Sequence, residues 1–135
     1  MSTSNDVLRA RTKQNTITAD TTLGANQAGQ DFNVATDALT ITLPQITADT
    51  IGMEFLFRNT GADANNIITI SPNATDSVNG TIANAAADSV AGGVVDKDWI
   101  NTKATSNKGD FVKLRAVSTT AWYIIDGVGI WASEA

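Results

Sequence analysis

The chain has neither cysteine nor histidine among its 135 residues. Without cysteine it has no disulfides, no thiolate metal sites and no cysteine nucleophile. Without histidine it lacks the most frequent general base, a common zinc ligand and the Ser-His-Asp triad. Only carboxylates, lysine and tyrosine remain for acid–base chemistry. We therefore expect a protein that is not an enzyme, with no catalytic residues, no cofactor and no metal.

Charged residues are also scarce, at 17% of the chain, and they leave a net charge of −5. We expect no nucleic-acid partner, because affinity for nucleic acid comes largely from neutralising phosphates. Glutamate, which is usually frequent on the solvent-exposed face of a long helix, occurs only as Glu54 and Glu134. No apolar run approaches the roughly 18 residues of a membrane span, so we expect no membrane partner.

The sequence is instead rich in threonine, asparagine, serine and aspartate, which is typical of all-β proteins with many turns. Apolar and polar residues alternate most clearly in Ala38–Leu43, Met53–Asn59 and Asp110–Val117. Ala121–Asp126 follows the last of these after a tight turn, which predicts a hairpin. The spacing predicts eight to ten short antiparallel strands in one β-sandwich or jelly-roll-like domain over residues 16–135.

The alternation also predicts the core of this domain. The side chains expected to be largely buried are Leu39, Ile41, Phe55, Phe57, Ile68, Ile70, Val112, Leu114 and Trp122.

The middle of the chain gives weaker signals. Asn79-Gly80 within Ser77–Ile82 is a strong short hairpin signal. Residues 83–95 are rich in alanine and glycine, and they fit a short helix at 83–88 and a surface loop equally well.

Residues 1–15 differ from the rest of the chain and predict an extended basic arm. Arg9, Arg11 and Lys13 outweigh Asp6, so the arm carries +2 and the remaining residues carry −7. The three cations alternate and would point the same way in an extended chain. Val7 and Leu8 are its apolar anchor. A solvated tail is one interpretation. The one we favour is a docking strap that contacts another polypeptide, either a larger partner or a neighbouring protomer.

This succession of strands and turns resembles a β-domain found in virion structural proteins of tailed bacteriophages, among them capsid decoration (cement) proteins and fibre domains. The segments that carry the resemblance are Ala38–Pro44, Ile51–Asn59, Asn66–Pro72, Ser77–Thr81 and Gly109–Trp131. The resemblance implies a β-sandwich or jelly-roll-like fold and a homotrimer without enzymatic activity.

Other groups of residues allow functional interpretations that we rate below structural ones. Asp96 and Asp98 could act as a carboxylate pair on glycans, but acids of this kind frequent turns. The loop at 61–66 has too few ligands for a typical calcium site. Trp99, Trp122, Tyr123 and Trp131 could form a sugar-stacking platform, although core and interface packing is the expected role.

The sequence therefore predicts a decoration protein on the outer surface of a virion capsid. It would bind the major capsid protein and bridge neighbouring subunits. Trp131 and Leu56 are the predicted interface residues beyond the arm, and apolar Val117 and Ile125 on outward faces also need cover. The alternative is a fibre or head-fibre domain that binds a host surface glycan.

Overall fold

The computed structural model describes residues 11–135, and the prediction of an all-β protein is confirmed. This part of the chain contains twelve strands and two three-residue 3₁₀ helices, Ala25–Gln27 and Lys103–Thr105. The strands are β1 (Gln14–Ile17), β2 (Thr21–Thr22), β3 (Asp31–Val34), β4 (Leu39–Thr42), β5 (Glu54–Asn59), β6 (Ile68–Ser71), β7 (Ser77–Ile82), β8 (Ser89–Val95), β9 (Trp99–Asn101), β10 (Phe111–Ser118), β11 (Ala121–Val128) and β12 (Trp131–Ser133).

The strands form two sheets with the core between them, as in a β-sandwich. The larger sheet has the order β1-β3-β5-β10-β11-β7-β8, and the smaller has the order β12-β9-β6-β4-β2. The first six strands alternate between the sheets, so this half of the chain winds as a coil whose successive turns pair in parallel. The second half adds antiparallel strands, such as the β10–β11 hairpin.

The prediction that the strands would be antiparallel is therefore wrong for half of the strand pairs. The number of strands was also underestimated. Five of the ten strand pairs between residues 11 and 135 are parallel. An alternating strand buries the same side chains whether its neighbour runs parallel or antiparallel. The alternation therefore identified the inward faces but not the direction of the neighbouring strands.

The core contains all nine side chains that the alternation predicted to be buried. Its centre is an aromatic cluster in which the Phe32 ring lies 5.7 Å from Phe57 and 6.0 Å from Phe55. Trp122 extends the cluster, with its ring centroid 5.8 Å from that of Phe55. Burial of such rings is the main stabilising contribution that the fold offers, because aromatic side chains remove large apolar areas from water.

Polar side chains fill the space between the sheets at one end of the core. Asn59 on β5 donates from Nδ2 to Asn101 Oδ1 on β9 at 3.0 Å, and Asn101 donates to Asp110 Oδ2 at 3.2 Å. Asn66 donates to Asn59 Oδ1 at 3.3 Å. All four residues are buried. Because buried amides are costly unless they are hydrogen-bonded, this network ties both sheets to the loops at this end.

The hairpin predicted at Asn79-Gly80 is wrong, since both residues lie inside strand β7. Gly80 has φ of 123°, and a Cβ added there would come within 3.1 Å of Ile124 Cβ on β11. The glycine therefore serves a close approach of two strands rather than a turn. In the following segment, residues 83–88 form a loop rather than a helix, whereas residues 89–95, which were also expected to lie in a loop, form β8.

Candidate functional site: protein interaction surfaces

The predicted arm leads directly into the edge of the larger sheet. Val7, Leu8 and Arg9 lie outside the described residues. Arg11 and Lys13 are exposed and immediately precede β1. The Asp31 N–H donates to the Lys13 carbonyl with an N···O distance of 3.0 Å, so pairing with β3 begins before β1 itself. The boundary predicted at residue 15 therefore lies too late, because residues 14 and 15 belong to the sheet.

Strand β1 presents an open edge. It is the terminal strand of the larger sheet, and within residues 11–135 only β3 pairs with it. Because the Lys13 carbonyl faces β3, the backbone groups of the alternating residues Gln14 and Thr16 face away from the sheet. An edge of this kind can accept an added strand from another chain.

A shallow cavity of about 110 Å³ lies where the arm enters the sheet, between Thr12 and strands β3, β5 and β10, and brings the arm close to Leu56. Leu56 is half-buried on the outer side of β5. The lining residues come from the arm, the loop before β3, and the three strands β3, β5 and β10: Thr12, Gly29, Gln30, Asp31, Glu54, Phe55, Leu56 and Lys113. The structure thus unites the C-terminal part of the arm with one of the two predicted body residues. We call Arg11, Lys13, the open edge of β1 and this cavity the arm site.

The carboxylates around the cavity already have cationic partners. Asp31 lies 3.4 Å from Arg58, and Glu54 contacts both Arg115 and Lys113, the latter at 3.4 Å. Burial opposes ionisation of Glu54, but the hydrogen bonds from Arg115 and Lys113 outweigh it and hold the pKa of this carboxyl below its usual value. The cavity therefore offers a small pocket with balanced charges at its rim rather than an ion-binding site.

A second surface, which we call the apolar face, lies on the outer side of β10, β11 and β8, with polar Asn79 and Thr81 of β7 between the last two strands. Its members are exposed apolar side chains at the far half of the larger sheet: Val90, Val117, Tyr123, Ile125 and Val128. Their exposed fractions range from 37% to 56%. Val117 and Ile125 were predicted to face outward, whereas the contributions of Val90 and Val128 were missed. The strand β8 was not recognised, and the strand predicted over Ala121–Asp126 in fact continues to Val128.

Trp131 does not belong to either surface, which corrects its assignment as an interface residue. It is 2% exposed, and its ring stacks on Trp99 with the centroids 6.1 Å apart. Trp99 and Trp122 are fully buried. Of the four residues considered for a sugar-stacking platform, only Tyr123 is exposed, so the tryptophans pack the core instead.

The outer side of the smaller sheet differs from both the arm site and the apolar face. None of its five strands contains a charged residue. Thr40 lies beside Thr69, and Thr42 lies beside Ser71, so hydroxyl side chains form two short rows across β4 and β6. These side chains are half-buried. The rows make an uncharged surface, which half-buried Ile100 of β9 continues opposite Thr69.

Of the acidic residues considered for catalysis or calcium binding, Asp63 makes a hydrogen bond through its carboxylate and Asp98 makes one through its backbone. Asp63 Oδ1 accepts from the Lys108 N–H at 2.8 Å, and the Asp98 N–H donates to Glu134 Oε2 at 3.1 Å. Between residues 11 and 135, no three acidic side chains are grouped as a metal site requires. Over the same range, no helix has the length and hydropathy needed to cross a membrane.

No model of a known protein family matches the chain, and no curated protein matches its sequence. The functional argument therefore depends on the surfaces described above.

Proposed function

We propose that this protein is a non-enzymatic capsid decoration (cement) protein on the outer surface of a tailed-phage virion. The observation that carries the proposal is the arm site. A basic segment leads into β1, whose outer edge is open, and a cavity lined by half-buried Leu56 adjoins Thr12 of that segment. This arrangement suits a protein that attaches to another protein through an extended segment.

The partner would be the major capsid protein. A strand of the shell added along β1 supplies main-chain hydrogen bonds, and a separate side chain of the shell fills the cavity against Leu56. Arg9, Arg11 and Lys13 pair with acidic groups on the shell. A protein that contacts two neighbouring subunits and binds only the assembled state stabilises that state by mass action.

The proposal includes a homotrimer, in which three copies hold three arms over adjacent capsid subunits. Each arm then strengthens the attachment of the trimer, because once one arm is bound the other two are held close to their own binding sites on the shell. No direct role in binding nucleic acid or membranes is proposed. The alternative of a glycan-binding fibre domain loses its main support, since the three tryptophans that would stack on sugars are buried.

The test is co-sedimentation with capsids of the encoding phage from which the protein has been removed. Wild-type protein should rebind, whereas deletion of residues 2–13 should weaken binding while the circular dichroism spectrum stays that of a folded β-protein. Reversal of Arg9, Arg11 and Lys13 to glutamate should do the same.

A matched control reverses Lys97, Lys103 and Lys108, which changes the net charge equally but lies away from the arm site. This control should decorate capsids more fully than the arm reversal. Unchanged occupancy of the truncated protein at physiological salt would show that the arm is only a tail.

A further inference from the structure

We infer that Arg58, which lies outside the arm site, is a positioning residue for attachment to the shell. It holds β1 in the register that presents the open edge and the arm, and it acts through Gln14. This role rests on the proposed function, because that function pairs a strand of the shell with β1.

A network of polar side chains fastens β1 to the outer side of the larger sheet. Arg58 on β5 lies beside Asn33 of β3 in the register of the sheet, and its Nη1 donates to Asn33 Oδ1 at 2.9 Å. The Arg58 guanidinium also lies 3.4 Å from Asp31 Oδ2. These two β3 residues hold Gln14 of β1, because Gln14 Nε2 donates to Asp31 Oδ2 at 2.9 Å and Asn33 Nδ2 donates to Gln14 Oε1 at 3.0 Å. Arg58 thus closes a network that spans three strands.

The network extends into the segment that leads into β1. Gln14 Nε2 also donates to the Thr12 carbonyl at 3.3 Å, and Thr12 lines the cavity of the arm site. Gln14 therefore orients the stretch of chain that carries Arg11 and Lys13. Arg58 supplies the positive charge of the network, and hydrogen bonds from a cation to a carboxylate are stronger than those between neutral groups. A change at Arg58 should therefore be felt at β1 and at the end of the arm.

Strand β1 depends on these polar contacts because apolar packing holds only one of its ends. Ile17, its last residue, is the one buried side chain within Gln14–Ile17. Nearer the arm, Asn15 Nδ2 donates to Gln30 Oε1 at 3.1 Å and to the Asp31 carbonyl at 3.0 Å. Polar groups therefore align the half of β1 next to the arm. An edge strand that is ordered beforehand loses less conformational entropy when another strand pairs with it, so this alignment favours binding.

Amide hydrogen exchange on the free, full-length protein tests the positioning of β1 without a capsid. The Asp31 N–H donates to the Lys13 carbonyl, and in Arg58→Met it should exchange about three- to tenfold faster, since members of one network are coupled by energies of that order. Amides of the β10–β11 hairpin should change less. Lys103→Met is the matched control, because it removes a cation from an ion pair, with Asp37, outside the larger sheet. If Arg58→Met fails to fold, Gln14→Leu replaces it and should accelerate the same amide.

Co-sedimentation with capsids tests the consequence for attachment. Arg58→Met and Gln14→Leu should each weaken binding about three- to tenfold, and Arg58→Lys should recover part of the loss. The double variant should bind about as well as the weaker single variant, because Arg58 acts through Gln14.

Additive losses would mean that Arg58 contacts the shell directly, and they would overturn the inference. So would an Asp31 amide that exchanges at the wild-type rate in Arg58→Met, an equal acceleration throughout the β10–β11 hairpin, or wild-type capsid binding by this variant. If the wild-type protein ignores capsids, the proposed function is wrong, and the exchange rates still decide whether Arg58 positions β1.

Discussion

Trp131 stacks almost parallel on Trp99, with 8° between the ring planes and 6.1 Å between their centroids. The pair fixes the last strand, β12, against β9 at the edge of the smaller sheet. The Trp131 indole also donates from Nε1 to the Val128 carbonyl at 3.1 Å, and its backbone N–H donates to Ser89 Oγ at 2.9 Å. The end of the chain thereby connects the smaller sheet to β8 and β11 of the larger one.

Trp131→Ala should therefore destabilise the protomer by about 3–5 kcal/mol, the usual cost of truncating a buried tryptophan. Urea unfolding measures the difference. Tyr123→Ala is the control, because Tyr123 is 42% exposed, and it should change the protomer's stability by less than about 1 kcal/mol. A Trp131→Ala variant as stable as wild type would contradict the packing described for β12.

Two neighbouring residues of β5 should separate stability from binding. Phe55→Ala should cost about 3–5 kcal/mol because Phe55 is fully buried between Phe32 and Trp122. Leu56→Ala should cost less, since Leu56 is half-buried on the opposite side of the strand, but it should weaken capsid binding by removing apolar surface from the cavity. Urea unfolding and co-sedimentation measured on both variants distinguish the two roles. If Leu56→Ala binds capsids as wild type does, the cavity has no part in attachment.

The sequence was sufficient to predict the side chains that face the core. Leu39 and Ile41, for example, are separated by one polar residue, and only one register of a strand buries both. It was not sufficient for the order of strands, because the parallel pairing of β4 with β6 brings together residues almost thirty positions apart. The sequences of β4 and β6 do not identify their partner strands, because pairing depends on how the connections pass over the core.

The surfaces were predicted only in part for a related reason. Ile125 was expected to face outward, but its exposure arises from a bulge, which depends on the pairing of β10 with β11. Trp131 was expected at an interface because it lies near the end of the chain. Its burial depends on the position of Trp99 in β9, and the sequence gives no sign of that contact. Leu56 was assigned from the local alternation alone, which is enough to place it on the outer side of β5.

Gly80 provides a test of the strand that replaced the predicted hairpin. Its φ of 123° is unfavourable for any residue with a Cβ, and Ile124 leaves little space beside it. Gly80→Ala should therefore destabilise the protein by more than about 1 kcal/mol. Gly29→Ala is a useful comparison, because Gly29 also has positive φ, at 80°, but no atom near the position of an added Cβ. Thermal unfolding should show the larger loss for Gly80→Ala, and equal losses would mean that the contact with Ile124 adds nothing.

Glu54 should make stability depend on acid pH. The hydrogen bonds from Arg115 and Lys113 outweigh the effect of burial and lower the pKa of Glu54 in the folded protein below its ordinary value. A lowered pKa means that the ionised carboxylate favours folding, so its contribution is complete above the unfolded pKa and is lost as pH falls through the folded pKa. At neutral pH, Glu54→Gln should cost up to about 1 kcal/mol, since these ion pairs are partly exposed.

Urea unfolding of wild type and Glu54→Gln from pH 7 downward should show this difference shrinking as the pH falls below about 4.3, the usual value for a glutamate in an unfolded chain. The control repeats the comparison in a Lys113→Met/Arg115→Met background, which removes both cations. There the cost of Glu54→Gln at neutral pH should be smaller and should vary less with pH. A cost that stays constant across the titration, or that grows in acid, would show that the two cations do not stabilise the Glu54 carboxylate.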